Sequence, residues 1–172
     1  MTLANARSQQ AAPRIRVSAA IAVDERLLLL EQQRGGERYW LLPGGGVRFA
    51  EDLATALRRE LLEELDLAAT IGRPIALAES LSPDMGVYAK HVLHVVLTAA
   101  VDASLLDSRA IRGATERSSP TTTTWRDPVV LDVRLFAAAE LAALDIRPPI
   151  ADFLAAFLQE EPEGVVYLGR RW

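Results

Sequence analysis

The chain has 172 residues, half of them hydrophobic and 24% charged, with no cysteine and a formal charge of −4 at pH 7. That length suits one domain with a substantial core, and the acidic balance argues against non-specific nucleic-acid binding. The missing thiols exclude disulfides, cysteine nucleophiles and zinc–thiolate sites.

Residues 1–13 are polar and alanine-rich with no apolar core of signal-peptide length. They read as a loose leader ahead of a single domain from 14 to 172, and no run approaches a membrane span. A cytoplasmic protein without membrane or nucleic-acid partners is the default expectation. From Arg14 the pattern RIRVSAAIAV predicts a strand, Asp24-Glu25 a turn, and RLLLLEQQ a second strand. Residues 34–38 read as a loop and Tyr39 to Leu42 as a short strand that delivers Pro43-Gly44-Gly45-Gly46. A helix follows from Asp52 to Leu65, where only Thr55 is β-branched and neither Gly nor Pro occurs.

Beyond the helix, a strand centred near Ile75 to Leu77, a loop over 82–86 and a valine-rich strand over 87–101 are expected. His91 and His94 have opposite parity on that last strand, so they face opposite sides and cannot pair. Each is better explained as an ordinary histidine than as a catalytic one. Residues 102–124 read as an irregular loop, 129–135 as a strand, and FAAAELAAL and 150–158 as helices. In the tail, Tyr167 and Trp172 offer surfaces for stacking on a base or for packing on a partner subunit, which would make a homodimer. Simple packing of an ordered terminus explains them with fewer assumptions.

The chemistry concentrates between Gly45 and Leu67, GGVRFAEDLATALRRELLEELDL. At about 100° per residue, Glu60, Glu63 and Glu64 share roughly a 100° arc of the helix. Leu53, Leu57, Leu61 and Leu65 form an i, i+4 stripe beside them for packing on a sheet. Two carboxylates about 6 Å apart repel by nearly 3 kcal/mol at an effective dielectric of about 20. Arg59 offsets part of that as the i, i+4 partner of Glu63. The remaining charge suits a hard divalent cation with oxygen ligands. Alone, RRELLEEL would read as a solvated helix face. The glycines ahead of it change that, because they leave backbone groups open to a ligand.

The same stretch resembles the signature of the Nudix hydrolases, G-x5-E-x7-R-E-U-x-E-E-x-G-U with U aliphatic. Gly45, Glu51, Arg59, Glu60, Leu61, Glu63, Glu64 and Leu67 match, and Asp66 stands in place of the second glycine. Six such polar or glycine matches in one window have a chance probability on the order of 10⁻⁷. Asp66 tolerates the left-handed cap that glycine would take there, at a small cost in stability. WLLPGGG before the helix is also similar to the family, and the resemblance runs from about Arg14 to Leu158.

The resemblance implies an α+β fold, an α/β/α sandwich with a mixed β-sheet; periodicity alone gives only one domain of α and β. It implies hydrolysis of a nucleoside diphosphate linked to another moiety, with Mg²⁺ as cofactor and Mn²⁺ as a substitute. Carried over by position, Glu60, Glu63 and Glu64 are expected to ligate metal, with the Gly45 or Gly44 carbonyl as a further ligand. Gly44, Gly45 and Gly46 are expected to meet the substrate, Arg59 to orient the carboxylates and Glu51 to support the loop–helix junction. For the general base, Glu63 is the choice inside the motif. Outside it Glu116 leads, with Asp127 behind. Pro83, sixteen residues past Leu67, resembles a feature of members acting on ADP-ribose, so ADP-ribose or a sugar nucleotide comes first among substrates. Non-standard nucleoside triphosphates come second, and a nucleotide sensor without turnover is the reading from a different class.

Overall fold

The computed structural model describes residues 12–81, 91–107 and 130–171. The chain begins with β1 (Arg14–Ala20), β2 (Ala22–Val23) and β3 (Arg26–Arg34), followed by β4 (Glu37–Leu41) and β5 (Gly44–Gly46). Helix α1 (Leu53–Leu65) leads into β6 (Ala69–Leu81), and β7 (His91–Val101) is followed by α2 (Ala103–Asp107). The C-terminal part holds β8 (Val130–Ala137), α3 (Ala138–Leu141), α4 (Ala151–Gln159) and β9 (Val166–Arg170).

Two sheets result. One runs in the order β5-β1-β7-β6-β9; the other runs β2-β3-β4, with β8 also paired to β3. The first is mixed: β1 is parallel to β7 and β6 to β9, whereas β5–β1 and β6–β7 are antiparallel. The α+β class and mixed sheet expected from the sequence are therefore present. The first strand differs from expectation, because it does not run unbroken to Val23. It leaves the first sheet at Ile21, whose carbonyl accepts from Leu28 N–H at 3.0 Å, and Ala22–Val23 then pair with β3 in the second sheet.

There are four further differences. The predicted loop over 34–38 tightens to a two-residue turn, since Gly35 and Gly36 take φ of 59° and 88°, the conformation that matches strand twist in a hairpin. The glycine run is itself a strand, β5, with Arg16, Val17 and Ser18 opposite Gly46, Gly45 and Gly44. Glycine here does not break the sheet. A Cβ on Gly44 would sit 2.2 Å from the Val17 carbonyl oxygen, so its absence is what lets β5 approach β1. The tail forms β9, and residues 103–107 of the expected irregular segment are helical.

Leu57 and Leu61 of α1 are fully buried and Leu65 nearly so, as the stripe predicted. They pack with Val17, Ala19, Val95 and Leu97. A second cluster, around Leu27, Leu29, Val96, Phe136 and Leu154, holds α3 and α4 in place. Burial of each leucine contributes about 2 kcal/mol, so α1 is pinned by packing and its polar face is presented at a fixed angle. Among the described residues no helix is long and apolar enough to cross a membrane.

Candidate active site

Helix α1 starts where its sequence says it should. Asp52 is the N-cap: its Oδ1 accepts from Thr55 N–H at 2.8 Å and its Oδ2 from Thr55 Oγ1–H at 2.9 Å. The helix ends at Asp66, with φ 56° and ψ 35°, and its N–H reaches the carbonyls of Leu61 and Leu62. This is the left-handed cap expected for the position at which the signature has glycine. Ala50 also takes a positive φ, 61°, a conformation glycine adopts with less strain.

Arg59 organises the polar face. Its Nε and Nη2 donate to the two oxygens of Glu51, each at 2.8 Å. Nη2 also donates to the Gly46 carbonyl at 3.0 Å, while Nη1 donates to Glu60 at 2.6 Å and to Glu63 at 3.3 Å. One guanidinium thus joins three carboxylates to the glycine strand. The Arg59 donors, aided by Arg48 N–H, hold the Glu51 carboxyl down to about 2. In return Glu51, and then Glu60, raise the pKa of Arg59 above its already high value.

The three glutamates of the motif meet different surroundings. Glu64 is 5% exposed and its Oε2 accepts from Gly44 N–H at 2.8 Å. The Glu60 carboxylate lies where a Gly45 side chain would be: an added Cβ would sit 2.2 Å from its carboxyl carbon. The Glu63 side chain is half exposed, between Arg59 and Arg48 Nη2, the latter at 3.4 Å. The structure therefore brings Glu60 to Gly45 and Glu64 to Gly44, and leaves Glu63 outermost. Among the described residues no group of three or more His, Cys, Asp or Glu is close enough to hold a metal ion as placed. The donor set is nevertheless all oxygen, which suits a hard divalent cation, and the space left by the missing Gly45 side chain lets a carboxylate abut the strand.

Other candidates lie elsewhere. Glu116, Asp127, Pro83 and Trp172 fall outside the described residues. Tyr167 is on β9, at the opposite edge of its sheet from the glycines, and its hydroxyl donates to Glu79 at 3.1 Å. The histidines do not pair: His91 Nε2 lies 3.7 Å from Glu79, and His94 Nε2 lies 2.9 Å from Ser80 Oγ. His94 is buried, and desolvation, assisted by the charge of Arg16, lowers its pKa to about 4, so it is neutral at pH 7.

Sequence reasoning passed over Arg16. It lines a small, partly open pocket together with Ser18, Leu42, His94, Ile146, Arg147 and Pro148. Burial lowers the pKa of Arg16, an effect opposed by the charges of Glu64 and then Glu60. The only sequence signal was an arginine alternating with apolar residues in a strand, which ordinarily marks a solvent face.

Solved structures share this architecture. A Nudix hydrolase from Nitrosomonas europaea superposes with a TM-score of 0.63 at 20% identity, covering 84% of this chain and 87% of that one. A MutT protein from Methanosarcina mazei gives 0.62 at 18% identity, covering 90% and 99%. An ADP-ribose pyrophosphatase from Streptococcus suis gives 0.58 at 18% identity, covering 91% and 99%. At such identities the likeness speaks to the fold. The sequence itself matches the NUDIX domain family from residue 12 to residue 157. With the signature helix, the glycine strand and the arginine-centred carboxylates inside that span, the chain belongs to the Nudix family and is a pyrophosphohydrolase.

Proposed function

We propose that the protein hydrolyses the pyrophosphate bond of a nucleoside diphosphate linked to another moiety, ADP-ribose or a sugar nucleotide first, in a Mg²⁺-dependent reaction that Mn²⁺ also supports. The observation that carries this reading is the Arg59 network, which ties Glu51, Glu60, Glu63 and the Gly46 carbonyl into one unit.

Glu60, Glu63 and Glu64, with the Gly45 or Gly44 carbonyl, are the residues that would hold the cation. Held there, a cation would supply charge neutralisation for the phosphates and a template for the attacking water. The chain's own groups do the rest. Gly44 and Gly45 let β1 and the Glu60 carboxylate come close, and Gly46 is the glycine of the three that is partly open to the diphosphate. Arg59 keeps Glu60 and Glu63 from relaxing away from one another, which lowers the cost of assembling like charges. Glu63, the outermost of the three, can turn towards a water molecule and take its proton as the oxygen attacks phosphorus. The bridging P–O bond then breaks, and two phosphate monoesters leave. Glu116 is the alternative base, and Glu63→Gln and Glu116→Gln separate the two. If Glu116 is the base, Glu116→Gln loses kcat with metal affinity unchanged, whereas Glu63→Gln weakens metal binding as well; a Glu116→Gln enzyme with unaltered kcat returns the base to Glu63.

A panel of nucleoside diphosphate sugars, ADP-ribose and non-standard nucleoside triphosphates, read by coupled phosphate release, tests the substrate class. Activity should vanish in EDTA and return with Mg²⁺ or Mn²⁺. Full activity in chelator would remove the metal reading, and turnover confined to triphosphates would replace the substrate reading.

A further inference from the structure

The cavity beside β1 holds two buried polar atoms that the reaction described above leaves unused. Arg16 Nη2 and His94 Nδ1 are both shielded from solvent and have no hydrogen-bond partner among the described residues. They belong to facing residues, since Arg16 pairs with His94 in the β1–β7 register. Buried donors without partners are costly, and a buried guanidinium is more so because arginine does not lose its proton in proteins. Two such atoms together in one cavity mark a place where a ligand supplies what the fold leaves out.

The chemistry of that ligand follows from the lining. Arg16 brings a positive charge, and Ser18 lies on the same strand face. His94, whose Nε2 is engaged by Ser80 Oγ, presents Nδ1 as a further polar contact. Leu42, Ile146 and Pro148 contribute apolar walls that exclude water and strengthen any charge–charge contact. The cavity is joined to the carboxylate site by the chain itself. Leu42 forms part of its wall, and Gly44, two residues on, donates its N–H to Glu64. Arg16 also feels the charges of Glu64 and Glu60.

We propose that this cavity is an oxyanion subsite in which Arg16 binds a phosphate oxygen of the substrate, reaching the diphosphate from β1 while the carboxylates act from α1. The assignment rests on the proposed reaction for the identity of the phosphate. His94 adds a donor to the same oxygens in the tautomer in which Ser80 donates to Nε2. Arg16 is then a substrate-binding residue, and the substrate supplies the partner that its Nη2 lacks.

The test is a calorimetric titration of the full chain with inorganic pyrophosphate, in EDTA at low ionic strength, alongside an uncharged nucleoside. Arg16→Met should weaken pyrophosphate binding at least tenfold while circular dichroism stays native. Arg16→Lys, which keeps the charge but loses the forked donor, should fall between the two. Arg26→Met, at an exposed arginine on β3, should bind like the wild type. On the best substrate, Arg16→Met should raise KM at least tenfold and change kcat less. Unaltered pyrophosphate affinity in a folded Arg16→Met or Arg16→Lys protein overturns the proposal. So does a wild type that ignores pyrophosphate, or a variant that loses only the nucleoside. The titration reads binding and not turnover, so failure of the hydrolysis panel would leave the binding result standing, and the reverse also holds.

Discussion

Adding one methyl group at Gly45 should separate the site from the fold. The position has no positive φ, so alanine is allowed there by its backbone. The new Cβ would lie 2.2 Å from the Glu60 carboxyl carbon and 2.4 Å from each of its oxygens. Carbon–carbon contacts settle near 3.5–4.0 Å, so the carboxylate must retreat by about 1.5 Å. That retreat breaks the 2.6 Å hydrogen bond from Arg59 Nη1. The displaced group is the flexible end of a side chain, so stability should fall by about 1–3 kcal/mol, or roughly 2–12 °C in Tm for a chain of this size. Activity should fall further, by roughly a hundredfold, since a misplacement of about 1 Å at a reacting centre costs that much. Gly44→Ala is the contrast. There φ is +139° and the Cβ meets the Val17 carbonyl oxygen at 2.2 Å, a backbone atom that cannot step aside. It should cost at least about 3 kcal/mol and threaten folding itself. Thermal denaturation by circular dichroism, paired with phosphate release at a temperature where both variants are folded, checks the two. A Gly45→Ala enzyme with the wild-type rate would refute the role given to the Glu60 position. Equal destabilisation by both substitutions would show that the argument from neighbouring atoms is wrong.

Other expectations follow from the same contacts. Glu64→Gln keeps an oxygen for Gly44 N–H but removes the charge, so kcat should drop by at least about a hundredfold with the fold retained; near-native kcat would take Glu64 out of the site. Asp52→Ala deletes both bonds to Thr55 and should cost about 1 kcal/mol, roughly 2–4 °C in Tm, and an unchanged Tm would mean the helix is held by packing alone. The Glu51 carboxyl titrates at about 2 in the fold against an ordinary 4.5, so its contribution is complete above the higher value and is lost as pH falls towards the lower one. Glu51→Gln should therefore flatten the acid limb of Tm against pH in that window, and a limb of unchanged slope would argue against the Arg59 contact.

What the sequence disclosed was local. Asp52 as a cap, the leucine stripe, Asp66 in the left-handed region and the Arg59–Glu63 pair are all set by spacings of three or four residues within one helix, where geometry is nearly fixed by composition. The glycine run was legible as an opening for a ligand but not as strand β5. Its pairing depends on β1, some thirty residues earlier, accepting a neighbour at a distance that only a missing Cβ permits. Strand β9 was missed for a similar reason: Val166 and Tyr167 are good strand formers, but they are exposed, and they become a strand only through the parallel edge that β6 offers.

Arg16 shows why the other half of the site could not be read the same way. Strand β1 alternates Arg14, Arg16 and Ser18 with Ile15, Val17 and Ala19, and period-two alternation ordinarily means one wet face and one dry. In this fold both faces of β1 are covered. Val17 and Ala19 pack towards α1, while Ala20 joins the second cluster with Ile146, Ile150 and Leu154. The segment that closes over Arg16 therefore comes from the far end of the chain, and no window around β1 contains it. A hydrophilic residue placed by a local rule on a solvent face is enclosed by a distant one. The same enclosure turns an ordinary surface arginine into a buried donor lacking a partner. Its function is thus a property of the tertiary packing, and the decisive comparison is whether the pyrophosphate affinity of the wild type survives the loss of that one guanidinium.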